Sequence, residues 1–331
     1  MVGKLTSDNY LSGSGLAVFD PDYPYGLTPN ELLDRCIRSR KGENVRDDNQ
    51  KSFMRIGDVL ENPLLDEACL RLGLTNVRLN IEAPLHHSTL PISGSVDGIA
   101  TAGVTMWPWG PWDSTEALVV GPDSEKGIYT PDNKYLQLLG DGILECKVTR
   151  DFGSEEELPN WRGKWQAMAY MEMAQLTWCA VCVLYNSTDF KIFVFERDPE
   201  FSKWFEETVT DFERRVKEED YYEPKNSLDV NIIYPTSYDE MVELPYELVE
   251  NLDEIQHANN IIKNLKKDID DHEKVIKAYM EDKKHAVVGN YRVTWGSRTY
   301  KERPERVVAK KESYTIRSKT IQIKEAKNEL N

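Results

Sequence analysis

Apolar residues in the first part of the chain recur at helical spacing. In TPNELLDRCIRSRKG, Leu32, Leu33 and Cys36 form a stripe behind Thr28-Pro29, an N-cap followed by proline at the first helical position. Gly42 ends that segment. In SFMRIGDVLENPLLDEACLRLGL the apolar line is Ile56, Leu60, Leu64, Leu65, Ala68 and Leu72, and Pro63 is expected to kink the helix or restart it with Asn62 as cap. The opening residues 1–28, rich in Gly, Ser, Pro and Tyr, read as loops.

The period then shortens. NVRLNIEAP reads as a strand, and PISGSVDGIA as a second, with Ser93, Ser95 and Asp97 alternating against Gly94, Val96 and Gly98. DGILECKV is a third, placing Ile143, Glu145 and Lys147 on one face and Leu144, Cys146 and Val148 on the other. WRGKWQAMAYMEMAQL reads as an amphipathic helix, WCAVCVLY and DFKIFVFERD as apolar strands, and PEFSKWFEETVTDFERRVK as a helix with Phe201, Phe205, Phe212 and Val216 inward. The order β-β-β-α-β-β-α predicts an α/β (α+β) fold, a mixed central sheet flanked by helices. Residues 1–220 make this core, with an insertion over about 100–140. A proline-punctuated connector follows over 221–245, then an extension over 246–331. That extension holds a long helix with Leu248, Leu252, Ile255, Ile262, Leu265, Ile269 and Ile276 at a spacing near 3.5, suited to pairing with another long helix. It closes with AVVGNYRVTW, a hairpin turning at Gly289-Asn290.

Composition narrows the class. With 40% hydrophobic and 30% charged residues over 331 positions the chain is globular, and no apolar run of about 18 residues predicts a membrane span. Five scattered cysteines and an N-terminus without an apolar core fit the reducing cytoplasm. The net charge of −16 opposes nucleic-acid binding as a whole, yet it is unevenly spread. Residues 261–331 carry a net +7 and residues 1–260 a net −23. A basic contact surface beside an acidic body accounts for such a split, and so does a merely solvated surface.

Candidate chemistry centres on Asp97, Glu145 and Lys147. Two carboxylates from adjacent strands, with the Cys146 carbonyl as a third oxygen, suit a hard divalent cation. A lysine on the same face can position or deprotonate a metal-bound water, or offset charge on a phosphate, as phosphodiester hydrolysis requires. Downstream, Gln166 and Tyr170 lie four apart on one helical face, and upstream Glu61 sits in GDVLEN at a helix start.

This ordered set resembles the PD-(D/E)XK nuclease superfamily, with its restriction-endonuclease-like core. Over roughly residues 10–215 it is most similar to the YqaJ-like viral recombinases and lambda-type alkaline exonucleases. LSGSGLAVF, RKG, GDVLE, S-V-D-G, E-C-K and Q-A-M-A-Y follow one another in the family's order, and FERDPEF and the helix-and-hairpin tail continue it. The resemblance implies that Asp97, Glu145 and the Cys146 carbonyl bind Mg²⁺, with Mn²⁺ able to substitute, and that Glu61 contributes through a second metal or a metal-bound water. It implies that Lys147 aligns or activates the water and that Gln166 orients the lysine or a phosphate. Ser14, Ser95 and Tyr170 would contact DNA. The implied activity is a 5′→3′ exonuclease on double-stranded DNA ends. Its 3′ strands would pass to a single-strand annealing recombinase, and the enzyme would be a homo-oligomer, a trimeric ring in the lambda type, in the cytoplasm of a bacterial or phage-infected cell.

Two features depart from the family. LTSDNYLSGS lacks the arginine that precedes the serine and binds the 5′ phosphate, leaving Arg35, Arg38 or Arg40 as substitutes. Asp97 and Glu145 stand 48 positions apart, and the insertion carries Trp107, Trp109 and Trp112, either a stacking platform for frayed bases or an aromatic minicore. An endonuclease or single-strand nuclease on the same core, and a catalytically silent DNA-binding or assembly protein, stay open as alternatives. Cys179-x-x-Cys182 lies in an apolar run and reads as buried core, His86-His87 as an exposed loop. The basic tail from Lys301 to Lys319 could follow a phosphate backbone or stay solvated.

Overall fold

The computed structural model describes residues 7–45, 52–103, 116–153, 156–239 and 241–297. The chain divides into two compact units at the boundary between Ile233 and Tyr234. Trp107, Trp109, Trp112 and the basic tail from Lys301 onward lie outside the described residues.

The first unit opens with a short strand, β1 (Leu11–Ser12), and a 3-10 helix over Gly13–Phe19, where loops were expected. Small residues let this segment turn tightly, and Ser12 caps it by accepting from the Gly15 amide. Leu16 and Val18 are thereby carried into the core. Helix α1 (Pro29–Arg40) begins with a full capping box, Thr28 and Glu31 each satisfying the other's backbone amide.

Helix α2 (Ser52–Leu72) runs unbroken through Pro63, so neither a restart nor an Asn62 cap is present. Proline there forfeits its own donor and crowds the carbonyl four residues back, and burial of Leu65, Ala68, Cys69 and Leu72 beyond it offsets that cost. Ile56, expected inward, is exposed. Glu61 consequently stands in mid-helix rather than at a helix start.

The next strands are β2 (Thr75–Leu79), β3 (Leu85–His86), β4 (Ile92–Gly94) and β5 (Gly98–Ala102). The expected single strand PISGSVDGIA is thus two strands in different sheets: β4 joins β1 and β3, and β5 joins the main sheet. The chain breaks at Ser95–Asp97 to cross from one to the other. The insertion contributes β6 (Leu118–Val120), β7 (Ile128–Tyr129) and β8 (Leu136–Leu138). Then come β9 (Gly140–Thr149), helix α3 (Trp165–Ala174), β10 (Trp178–Tyr185), β11 (Asp189–Glu196), α4 (Pro199–Glu218) and α5 (Ser227–Ile233).

The main sheet has the order β2-β5-β9-β10-β11-β7 and is mixed. Strand β9 runs antiparallel to β5 and parallel to β10, and β11 returns antiparallel to β10. Both faces are covered, as the unbroken apolar run of β10 requires. One core contains residues of α1, α3 and α4, the other those of α2 and the insertion strands. Cys179 and Cys182, both buried, enter opposite cores, so the pair cannot share a ligand. Helix α3 is not amphipathic: Gln166 through Met173 are all buried, so the helix is enclosed on every side. In α4 the inward line is Phe201, Phe205, Val209, Phe212 and Val216.

The second unit contains α6 (Leu248–Met280) and a two-stranded hairpin, β12 (His285–Val288) with β13 (Tyr291–Thr294). Val288 pairs with Tyr291 across the Gly289-Asn290 turn. Ile255, Ile262, Ile269 and Ile276 lie along α6 as an exposed line at seven-residue intervals.

Candidate active site

The alternation along β9 sets the site. Glu145 and Lys147 leave the strand on the face covered by α3, and Cys146 leaves on the other, packed against the second core. Before α3 a single wide turn over Asn160–Lys164 passes over the lysine. Gly163 has a φ of 91°, and a Cβ built there would lie 3.1 Å from Lys147 Cε. Glycine is the residue that allows this approach.

The crossing at Ser95–Asp97 delivers the second carboxylate. Asp97 Oδ2 accepts the Cys146 amide at 2.8 Å. Within a strand the N–H and C=O of one residue point the same way, so the Cys146 carbonyl is also turned toward Asp97. Lys147 Nζ donates to Glu145 Oε1 at 2.5 Å and to Gln166 Oε1 at 3.0 Å. Gln166 Nε2 in turn donates to the Tyr170 hydroxyl at 3.0 Å. That hydroxyl also meets the backbone of Ser95. A continuous chain therefore runs from the β4–β5 crossing through Tyr170, Gln166 and Lys147 to Glu145.

The electrostatics are strained in one direction. Burial pushes the Glu145 carboxyl up to about 8, with the charge of Asp97 adding to the effect. Burial pushes Glu61 up to about 7, with Asp97 and Asp58 adding. Burial also raises Asp97, although Lys147 and the Cys146 amide oppose the rise. For Lys147 burial disfavours the charge, but Glu145 and Asp97 outweigh it and hold the ammonium above its ordinary range. Lys147 is therefore a cationic donor in this arrangement rather than a base.

Glu145 is 1% exposed, its Oε2 is buried with no donor on it, and its carboxyl lies within hydrogen-bond reach of the Asp97 carboxyl. A buried carboxylate oxygen normally finds a donor. The missing donor, the crowded carboxylates and the nearby carbonyl fit an oxygen-coordinated divalent cation in kind. Among the described residues no three His, Cys, Asp or Glu side chains enclose a cation as they stand. The donor set is two carboxylates and a carbonyl, leaving positions for water, which suits Mg²⁺.

These shifts carry a sign. Both glutamates ionise near 4.5 in the unfolded chain, while folding holds them protonated to about 7 and 8. Between those limits the native state binds more protons, so stability falls as pH rises through the interval. In EDTA, Tm is expected to drop by about 5 °C or more from pH 5.5 to 8.5. Equal melting temperatures would contradict the assignment, and Glu145→Gln should flatten the profile.

The structure places the remaining candidates unevenly. Glu61 joins the carboxylates through its charge coupling to Asp97 and Lys147. Ser95 adjoins Tyr170 through its backbone, and the exposed Ser14 hydroxyl meets Ser12 Oγ at 3.1 Å. Arg35 is exposed on α1. Arg38 is paired with Asp34 and Glu43, and Arg40 with Glu213, so those two charges are already answered. Sequence reasoning missed two glycines. A Cβ on Gly13 would sit 2.4 Å from the Tyr170 ring, and one on Gly94 would sit 2.0 Å from it. The repeated Gly-Ser pairs, Gly13-Ser14 and Gly94-Ser95, were the available signal.

No protein-family model matches this chain, and no curated protein sequence does. Among solved structures, an alkaline exonuclease from Laribacter hongkongensis is similar at a TM-score of 0.43 and 13% identity, over 64% of this chain and 90% of that one. Its complex with dAMP matches at 0.43 and 14% identity, over 64% and 90%. A phage-related exonuclease from Haemophilus somnus 129PT matches at 0.37 and 12% identity, over 63% and 94%.

Proposed function

We propose that this chain is a metal-dependent deoxyribonuclease acting as an exonuclease on double-stranded DNA ends. The observation that carries the reading is Glu145, buried with one oxygen on Lys147 and the other without a donor beside Asp97. A purely structural ion pair would satisfy both oxygens. Asp97, Glu145 and the Cys146 carbonyl would hold Mg²⁺ or Mn²⁺, with Glu61 acting through a bound water. The cation, when bound, would polarise the phosphodiester and lower the pKa of a water. Lys147 keeps its charge and donates to a phosphate oxygen or to the attacking water. Gln166 fixes the lysine's direction, and Tyr170 fixes which end of the Gln166 amide faces it. Ser14, Ser95 and Arg35 are proposed to meet the DNA backbone; Tyr170, expected there from the sequence, is buried with its hydroxyl held by Gln166 and the Ser95 backbone and acts from behind the site instead. The expected polarity is 5′→3′, with 3′ strands left for an annealing recombinase and a ring-forming homo-oligomer as the working assembly.

A second reading is favoured by one observation. Arg38 and Arg40 are already paired with carboxylates, and no arginine precedes Ser14 within residues 5–14. Of the three substitutes this leaves only Arg35, exposed on α1, and if it does not anchor a 5′ phosphate the same centre would cut internally. Duplex labelled at either end, run beside closed circular DNA in Mg²⁺, separates the two. Early loss of the 5′ label with intact circles is expected. Cut circles would establish the endonuclease, and early loss of the 3′ label would reverse the polarity.

A further inference from the structure

An aromatic cluster adjoins the lysine side of the site. Tyr23 and Tyr25 pack edge to face with centroids 5.5 Å apart, and Tyr25 meets Trp161 the same way at 5.5 Å. The Arg162 guanidinium lies 4.5 Å over the Trp161 ring and 5.5 Å from that of Tyr185. Arg162 is itself buried and ion-paired to Asp151 at 2.7 Å. The next residue, Gly163, rests against the Lys147 side chain. Trp161 is therefore fixed from below, two residues from the backbone that covers the catalytic lysine. Tyr25 is held by two ring contacts and yet is 64% exposed. A ring held by two edge-to-face neighbours and still mostly open offers a flat surface on which another ring can stack.

We infer that Tyr25, backed by Tyr23 and Trp161, is a stacking rest for an unpaired base of the DNA strand whose phosphate is held at Lys147. Every base has a π-face, so the contact is sequence-tolerant, and stacking of this kind changes affinity by roughly 5- to 150-fold per base. Arg162 is a positioning residue: held by Asp151, it sets the Trp161 plane from beneath. The inference deepens the nuclease reading and rests on it for the identity of the strand.

The test is binding of a fluorescent single-stranded oligonucleotide in EDTA, without turnover, set beside an abasic oligonucleotide of the same length. Tyr25→Ala is expected to bind the base-bearing strand about tenfold more weakly and the abasic strand as the wild type does. Tyr25→Phe, which keeps the ring, should restore affinity. No binding by the wild type, equal affinity of wild type and Tyr25→Ala, or an equal loss on both strands would each overturn the stacking role. Base-dependent binding by a wild-type protein that cleaves nothing in any divalent metal would sink the nuclease reading while leaving the stacking surface in place. Cleavage by a protein indifferent to Tyr25→Ala would do the reverse.

Discussion

Replacing Lys147 with alanine is expected to lower turnover on linear duplex DNA by about 10³-fold, the loss seen when a charge-stabilising donor is removed from a preorganised site. The folded protein should survive the change. Truncating one partner of a buried ion pair is ordinarily destabilising because it strands a charge. Here the stranded group is Glu145, already raised to about 8 by burial, so it protonates at neutral pH instead of standing as a bare anion. Lys147→Arg should not restore activity. A planar guanidinium cannot replace an ammonium aimed at Glu145 Oε1 and Gln166 Oε1 together beneath Gly163. Steady-state cleavage and thermal melts on the same preparations check both halves. Near-normal turnover in Lys147→Ala would remove the lysine from the mechanism.

The second large effect concerns a residue with no chemistry of its own. Gly94→Val is expected to destabilise the protein by at least about 3 kcal/mol, the upper range for overpacking, and to depress activity beyond the stability loss. A Cβ at Gly94 would meet Tyr170 Cε1 at 2.0 Å, a ring carbon that Gly13 also approaches closely, and the ring is fully buried. Tyr170 holds Gln166, and Gln166 holds Lys147, so displacement of the ring reaches the Lys147 amine through two hydrogen bonds. Chemical denaturation gives the stability term. If the clash is the cause, Tyr170→Ala should reduce the Gly94→Val penalty, since coupled neighbours are not additive. A full penalty in the double variant would assign the effect to the backbone of β4 instead.

The site was legible where chemistry and period coincide. In DGILECKV the two-residue alternation puts Glu145 and Lys147 on one face, and WQAMAY puts Gln166 and Tyr170 within one helical turn of each other; the structure joins all of them except Tyr170 directly at the lysine. What pattern could not show is where the chain leaves a sheet. SGSVDGIA alternates like one strand, but its small residues allow the chain to cross between sheets at Ser95–Asp97. Asp97 stands at that break and not in a strand interior. Helix α3 likewise looked one-sided in sequence, because Gln166 and Glu172 are polar; both are buried, Glu172 accepting from Arg197 and Ser202. Burial of a paired carboxylate leaves no local mark. The continuity of α2 through Pro63 was equally hidden, since packing beyond the proline decides it. The glycines around Tyr170 needed the fold to be seen at all.

The most direct measurement is release of nucleotides from linear duplex DNA by the purified chain in Mg²⁺, in Mn²⁺ and in EDTA, with Asp97→Ala run in parallel. Soluble nucleotides are expected from the wild type in Mg²⁺ or Mn²⁺ only, and none above background from Asp97→Ala. Release that persists in EDTA, or a wild type that releases nothing in either metal while remaining folded, would contradict a metal-dependent nuclease.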